Sequence, residues 1–235
     1  MTLTGNPTPK QTGVPVQWTY ASAPDGVEVL LYDMNHCEEM QMLSAMPPER
    51  AGLLHALAEE RYRAEHRRRE WLAVRAALYE ICPEAEIGYL PTGRPFLTGL
   101  PANEKMRHFS LSHSGEYVAL ARAVFPVGID VECRRPKVLR LAEKFLSPEE
   151  LRLLEAWDSL GYPDAERMCL ALWTAKEAAY KYFDRVGSTI ADIRITDLGK
   201  SVEGRATGNC SLFDCGEARL QIHAFPDFTL SLCFS

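Results

Sequence analysis

Two acidic side chains stand two positions apart in the stretch VGIDVE, residues 127–132, at Asp130 and Glu132. Apolar residues alternate with them, which is typical of a β-strand whose side chains point in turn to its two faces. Asp130 and Glu132 then share one face, roughly 7 Å apart along the strand. Like charges that close repel each other unless a positive group lies between them. The pair therefore indicates either a cation site or the solvated face of an edge strand.

A third carboxylate falls inside a predicted helix, in the stretch LALWTAKEAAYKYF. At about 100° per residue, Glu177 lies within the apolar stripe that includes Leu170 and Trp173, where burial disfavours a charged carboxylate. Lys181 follows Glu177 by four residues, so the two can form an ordinary ion pair along the helix. Alternatively, Glu177 joins the two strand acids as an oxygen ligand for Mg²⁺, which binds such ligands together with water and phosphate.

Basic residues concentrate in the stretch RYRAEHRRREWLAVR, residues 61–75. Consecutive helical positions point in different directions, so these arginines cannot all face one ligand, and most are expected to face solvent. We select Arg69 as the arginine that contacts a phosphate, with Arg63 as a weaker candidate.

Two further motifs offer groups that bind anions. The turn TGRPF presents Arg94 to a planar or anionic ligand, or it is only a turn. In SLSHSGE, His113 is either an ordinary loop histidine or, with Ser112 beside it, a donor to a phosphate.

The elements that position these residues follow one order twice: a strand, then helices, then strands. The first pass runs over residues 27–124 and the second over 125–235. Because strands and helices do not alternate strictly, the pattern predicts an α+β fold. In SPEELRLLEAW, Ser147 is the predicted N-cap of a helix, with Pro148 at its first position and Glu150 three residues on. The predicted organisation is a flexible extension at 1–20, an N-terminal half at 21–124 and a C-terminal half at 125–235.

Composition narrows the class of protein. The 235 residues carry a formal net charge of −6, which argues against a general nucleic-acid binder. Seven scattered cysteines without a CxxC motif favour reduced thiols in a cytoplasmic protein. We see no apolar run of about 20 residues and no apolar region near the N-terminus, so we expect neither membrane association nor a signal peptide.

The motifs, taken in chain order, match a known group. They are the arginine-rich helix, GRP, SHSG, GIDVE, KFLSPEE and WTAKEAAYK, over about residues 61–184. In this order they resemble the 4′-phosphopantetheinyl transferases of the Sfp type; the shorter holo-carrier-protein synthases are a poorer match. The resemblance implies two pseudo-twofold-related halves, each a small, mainly antiparallel sheet packed with helices.

The resemblance also implies a reaction. A serine hydroxyl of an apo acyl or peptidyl carrier protein attacks the β-phosphate of coenzyme A, the 4′-phosphopantetheine arm is transferred, and 3′,5′-ADP leaves. Asp130, Glu132 and Glu177 are the implied ligands of Mg²⁺, or of Mn²⁺. Glu177 is also similar to a proposed general base, and Lys181 to the lysine that stabilises the transferring phosphate.

The remaining implied contacts are with coenzyme A. Lys176 contacts a phosphate or supports the fold. Arg69 and His113, with Ser112 alongside, bind the 3′-phosphate, and Arg63 is a weaker candidate. The residues implied near the adenine are Gly93, Arg94 and Pro95, where arginine replaces the commoner lysine of a GKP motif.

Two other functions are compatible with the same three acids. One is a Mg²⁺-dependent nuclease or phosphohydrolase, against which the acidic net charge argues. The other is a carrier-binding module without catalysis, against which the retained acids and Lys181 argue. For the transferase we expect a monomer with a local apolar or basic docking patch near the junction of the halves, because carrier proteins are acidic.

Overall fold

The computed structural model of the chain describes residues 16–19, 24–35, 37–134 and 137–235. The chain divides into two compact units, Met1–Val124 and Phe125–Ser235. Within the extension that we predicted to be flexible, Val16–Thr19 form a strand that pairs with residues 30–33, and the flexibility of the extension stays a prediction. The rest of the extension lies outside the described residues.

The first unit is an antiparallel sheet with helices and a separate hairpin. Strands β1 (Val16–Thr19), β2 (Val27–Asp33), β5 (His108–Ser114) and β6 (Tyr117–Ala123) form the sheet in the order β1-β2-β6-β5. The helices are α1 (Glu39–Met42), α2 (Pro48–Arg61) and α3 (Glu65–Ile81), and the hairpin joins β3 (Glu86–Tyr89) to β4 (Pro95–Thr98). Helix α3 buries Leu72, Ala76 and Leu78 against the core that includes Leu30 and Leu120.

The second unit is a five-stranded antiparallel sheet in the order β7-β11-β10-β9-β8. Its strands are β7 (Val127–Cys133), β8 (Ile193–Leu198), β9 (Arg205–Leu212), β10 (Gly216–Ala224) and β11 (Phe228–Phe234). Its helices are α4 (Ala142–Phe145), α5 (Pro148–Glu155) and α6 (Ala165–Phe183), with 3₁₀ turns at Val138–Leu141 and Ile190–Asp192. The α+β prediction is therefore confirmed, while the pseudo-twofold relation between the halves stays a prediction.

Helix boundaries in the second unit follow from capping. The Ser147 hydroxyl accepts a bond from the Glu150 backbone N–H at 3.3 Å, and the Glu150 carboxylate accepts one from the Ser147 N–H at 2.7 Å. This is the predicted capping box, which satisfies two N–H groups that the helix leaves without partners. Asp164 caps α6 in the same way by accepting from the Arg167 N–H at 2.8 Å.

Strand β7 and helix α6 approach each other closely at Gly128. A Cβ atom at this position would clash with the backbone of Ala178 and would lie 2.7 Å from the Tyr182 nitrogen. Only glycine allows the backbones to come so near. Asp130, two residues further along β7, lies within hydrogen-bond distance of Lys181 on α6.

The structure contains all seven cysteines as thiols. None of the helices within the described ranges is long and apolar enough to cross a bilayer.

Candidate functional site

Asp130 is not on a solvated strand face. Its side chain is only 6% exposed, and its Oδ1 atom accepts a hydrogen bond from the Lys181 ammonium at 2.8 Å. Lys181 Nζ also donates to the Ile129 carbonyl oxygen at 3.0 Å. The positive group that the strand acids require is therefore, in this structure, a lysine at the last turn of α6.

Glu177 is electrostatically coupled to both strand acids. Its pKa is raised to about 7, first by burial and next by the charge of Asp130. Lys181 opposes this increase, and Glu132 adds to it. The prediction that Glu177 lies partly buried on α6 is confirmed, and the three carboxylates lie near enough to influence one another.

Glu132 is oriented by an aromatic side chain. The Trp173 indole N–H donates to Glu132 Oε1 over 3.4 Å. The Trp173 ring packs edge-on against Phe145, with 4.9 Å between the ring centroids. Helix α6 thus supplies Trp173, Glu177 and Lys181 to β7 from positions spaced four residues apart, which lie on one side of a helix.

The donor chemistry of this site fits a hard divalent cation. Burial and the charges of Asp130 and Glu132 raise the pKa of Glu177 to about 7, so Glu177 holds a proton near neutral pH that a cation can replace. Among the described residues, however, no group of three or more His, Cys, Asp and Glu side chains is arranged as a metal site. The Lys181–Asp130 bond also has to open before both Asp130 oxygens can serve a cation.

Lys176 does not fit a direct contact with coenzyme A. Its side chain is fully buried, and its ammonium donates to Glu150 Oε2 at 2.7 Å and to the Phe145 carbonyl oxygen at 2.6 Å. Burial lowers the pKa of Lys176, and the bond to Glu150 opposes that effect. Of the two predicted roles, supporting the fold is the one that this location favours.

Arg69 lies within a network of the first unit. Its guanidinium donates to the carbonyl oxygens of Cys37 at 2.6 Å and Met34 at 2.8 Å, and to the Glu116 carboxylate at 3.1 Å. These bonds join α3 to the segment after β2 and to the turn between β5 and β6. A phosphate contact by Arg69 would have to be shared with this structural role.

His113 and Ser112 point to opposite faces of β5, because side chains alternate along a strand. His113 lies on the rim of a cavity of about 230 Å³, and its Nδ1 atom lies 3.4 Å from Glu70 Oε1. The cavity is also lined by two tyrosines, a tryptophan and two arginines: Tyr62, Tyr89, Trp71, Arg67 and Arg75. Ser112 is buried, so a shared phosphate contact with His113, as we predicted, does not fit the strand geometry.

The GRP motif occupies the turn of the β3–β4 hairpin. Gly93 has a φ of +86°, which favours glycine, and its N–H donates to the Leu90 carbonyl oxygen at 2.8 Å. Arg94 lies near His108, whose pKa is lowered by burial and by the Arg94 charge. Pro95 begins β4. The three residues therefore form a partly exposed turn, as expected for either of the two predicted interpretations.

Three interactions escaped the sequence reasoning. They are the Trp173 bond to Glu132, the Glu150 bond to Lys176 and the Glu70 contact with His113. The capping motif had already marked Glu150, but its second partner lies 26 residues away on another helix. The sequence contains no spacing rule that pairs such positions.

The sequence is similar to known proteins over the segment that contains the acidic site. The 4′-phosphopantetheinyl transferase superfamily matches residues 126–233, which include every residue of the acidic site. Over this segment the chain is similar to that superfamily. The resemblance seen in the motifs is thus confirmed over the second unit.

Three curated relatives of the superfamily match over similar lengths. A 4′-phosphopantetheinyl transferase of Bacillus subtilis is 34% identical over 90 residues, 38% of this chain and 37% of that protein. Sfp of Bacillus subtilis strain 168 is 36% identical over 89 residues, 38% of this chain and 37% of Sfp. The transferase psf-1 of Bacillus pumilus is 40% identical over 92 residues, 38% of this chain and 35% of that protein. The matched part thus spans about a third of each of these relatives.

Proposed function

We propose that the protein transfers the 4′-phosphopantetheine arm of coenzyme A to a serine of an apo carrier protein and releases 3′,5′-ADP. The observation that supports this most is the cluster of Asp130, Glu132, Glu177 and Lys181 inside the superfamily segment. Acidic groups at such density lower stability unless a positive partner is bound. A bound dication would supply that partner, and it would also bind the diphosphate of coenzyme A.

Asp130, Glu132 and Glu177 would hold the Mg²⁺ ion. When bound, Mg²⁺ neutralises charge on the phosphate oxygens, which is the main catalytic requirement in phosphoryl transfer. The Trp173 N–H holds the Glu132 carboxylate in place for this role. Burial of Asp130 keeps bulk water from competing for its oxygens.

Glu177 has a pKa suited to proton transfer. A carboxylate with a pKa of about 7 can accept the serine proton at neutral pH, directly or through a water molecule. Binding a cation lowers that pKa and weakens Glu177 as a base. The two roles therefore compete, and proton transfer requires that Glu177 bind the cation only loosely.

Lys181 would exchange partners during the reaction. Its ammonium now bonds to Asp130 Oδ1 and the Ile129 carbonyl oxygen. When Asp130 binds the cation, Lys181 can turn to an oxygen of the transferring phosphate. Such a contact stabilises charge in the transition state.

We assign the nucleotide end of coenzyme A to the first unit. Gly93, Arg94 and Pro95 are proposed near the adenine, and Arg69 with His113 near the 3′-phosphate. The location of His113 at the rim of a cavity supports its part in this assignment. The Glu70 carboxylate accepts a hydrogen bond from Arg67 at 2.9 Å and lies 3.4 Å from His113 Nδ1, so it keeps these two side chains in place.

The carrier protein would dock on the segment that precedes and includes α4. Lys137, Arg140 and Lys144 are exposed there, beside the exposed Leu139 and Leu141, which are 38% and 43% exposed. An acidic helix with apolar residues complements such a surface.

Intact-mass measurement tests the proposed function. The protein is incubated with coenzyme A, Mg²⁺ and an apo carrier protein, and a carrier that gains one phosphopantetheine arm supports the transfer. Asp130→Asn and added chelator serve as controls, and both should abolish the gain. Coenzyme A hydrolysis without carrier modification would instead indicate a phosphohydrolase. Carrier binding without product would indicate a binding module.

A further inference from the structure

A fully buried charged pair of the second unit lies outside the acidic site. Glu150 and Lys176 are 1% and 0% exposed. Glu150 Oε2 accepts bonds from the Lys176 ammonium and the Ser147 N–H, each at 2.7 Å. Glu150 Oε1 accepts one from the Ile195 N–H at 2.8 Å. One carboxylate thus joins α5, α6 and β8.

Lys176 connects this carboxylate to the residue that supports the active-site tryptophan. Its ammonium also donates to the Phe145 carbonyl oxygen at 2.6 Å. The Phe145 ring packs against Trp173, whose N–H donates to Glu132. A continuous series of contacts therefore runs from Glu150 to Glu132.

Lys176 also fixes the rotation of α6. It stands next to Glu177 in the sequence, so the two side chains leave the helix about 100° apart. With Lys176 held in the core, Glu177 is directed towards β7. A rotation of α6 would break the Lys176 bonds and displace Glu177 together.

We propose that the Glu150–Lys176 pair is a positioning device for the reaction: it holds Glu132 through Phe145 and Trp173, and it sets the direction of Glu177. The inference rests on the proposed function and deepens it. Neither residue touches the substrate; both act through the helix and the tryptophan.

Lys176→Met tests the proposal, since it keeps the length of the side chain and removes the ammonium. Loss of one partner of a buried pair is strongly destabilising, so Tm should fall by roughly 6–20 °C. A matched control is Ile222→Ala, which opens a cavity in the sheet of the same unit and should also lower Tm. Both variants are assayed at the same interval below their own Tm.

Under these conditions Lys176→Met should lower kcat at least about 10-fold relative to Ile222→Ala, with the KM for coenzyme A changed less than about 3-fold. Its affinity for Mn²⁺, titrated calorimetrically on the metal-free protein, should fall by a similar factor. Equal kcat and equal Mn²⁺ affinity in the two variants would overturn the proposal. Should Lys176→Met fail to fold, Glu150→Gln replaces it, with a smaller effect in the same direction.

Trp173→Phe tests whether the Glu150–Lys176 pair acts on Glu132 through Trp173. It keeps the ring contact with Phe145 and removes the N–H to Glu132. If the pair acts through Trp173, the kcat losses of Lys176→Met and Trp173→Phe should not multiply in the double variant. Full multiplication would exclude this route. If the unaltered protein transfers no phosphopantetheine, the proposed function fails, while the Mn²⁺ titrations still test the positioning role.

Discussion

Replacing Glu177 by glutamine should make the stability of the metal-free protein less dependent on pH. Burial and the charge of Asp130 raise the pKa of Glu177 from 4.5 to about 7. Between these values the folded protein keeps a proton that the unfolded chain has lost. Stability therefore falls as pH rises, by up to about 1.4 kcal/mol per pH unit.

The size of the effect follows from the shift. A change from 4.5 to about 7 corresponds to at most about 3 kcal/mol, and partial contact with water reduces the expected cost to roughly 2 kcal/mol. Glutamine resembles the protonated acid and carries no such cost. Glu177→Gln should thus match the unaltered protein near pH 4 and exceed its stability by roughly 2 kcal/mol at pH 8.

Urea unfolding across this pH range, in the presence of a chelator, measures the difference. The matched control is Glu155→Gln, which makes the same change of side chain at an exposed carboxylate at the end of α5. A stability difference for Glu177→Gln that stays constant from pH 4 to pH 8 would refute the electrostatic account of this site. Added Mg²⁺ should stabilise the unaltered protein at pH 8 more than the variant.

Three further predictions follow from the geometry. Gly128→Ala should cost at least about 2 kcal/mol in urea unfolding and lower kcat, because its methyl group forces β7 away from α6; unchanged stability would contradict the close approach. Lys181→Ala should lower kcat by roughly 10²–10³-fold with little change in coenzyme A affinity, and a change in KM alone would argue against a transition-state contact. Arg140→Glu should raise the carrier KM by about 5- to 10-fold at low salt, whereas Arg152→Glu, on the exposed side of α5, should not; equal effects would remove the docking surface.

Sequence patterns within single helices and strands predicted several features of the second unit. The alternation around Asp130 identified β7, and the capping box at Ser147 identified the start of α5. The helical stripe placed Glu177 at the edge of the core, where the structure has it. Each of these signals lies within one element, where the period of the backbone decides which face a side chain occupies.

Contacts between elements were beyond the reach of those rules. Lys176 and Lys181 are both lysines of one helix, yet the first is buried against Glu150 and the second reaches Asp130. What separates them is the position of α5 on one side of α6 and of β7 on the other. That arrangement depends on packing over the whole unit, including the absent side chain of Gly128.

The two lysines also explain how α6 can carry part of an acidic site and still keep its position in the second unit. Crowding Glu177 against Asp130 raises the free energy of the metal-free protein, and Lys181 offsets only part of that cost. The Lys181 bond is formed by the same groups that the proposed reaction needs, so in that proposal the bond must be free to open. The bonds that hold α6 in position throughout the proposed reaction therefore have to lie elsewhere on the helix. The buried bonds of Lys176 to Glu150 and Phe145 meet this requirement, because no step of the proposed reaction uses them.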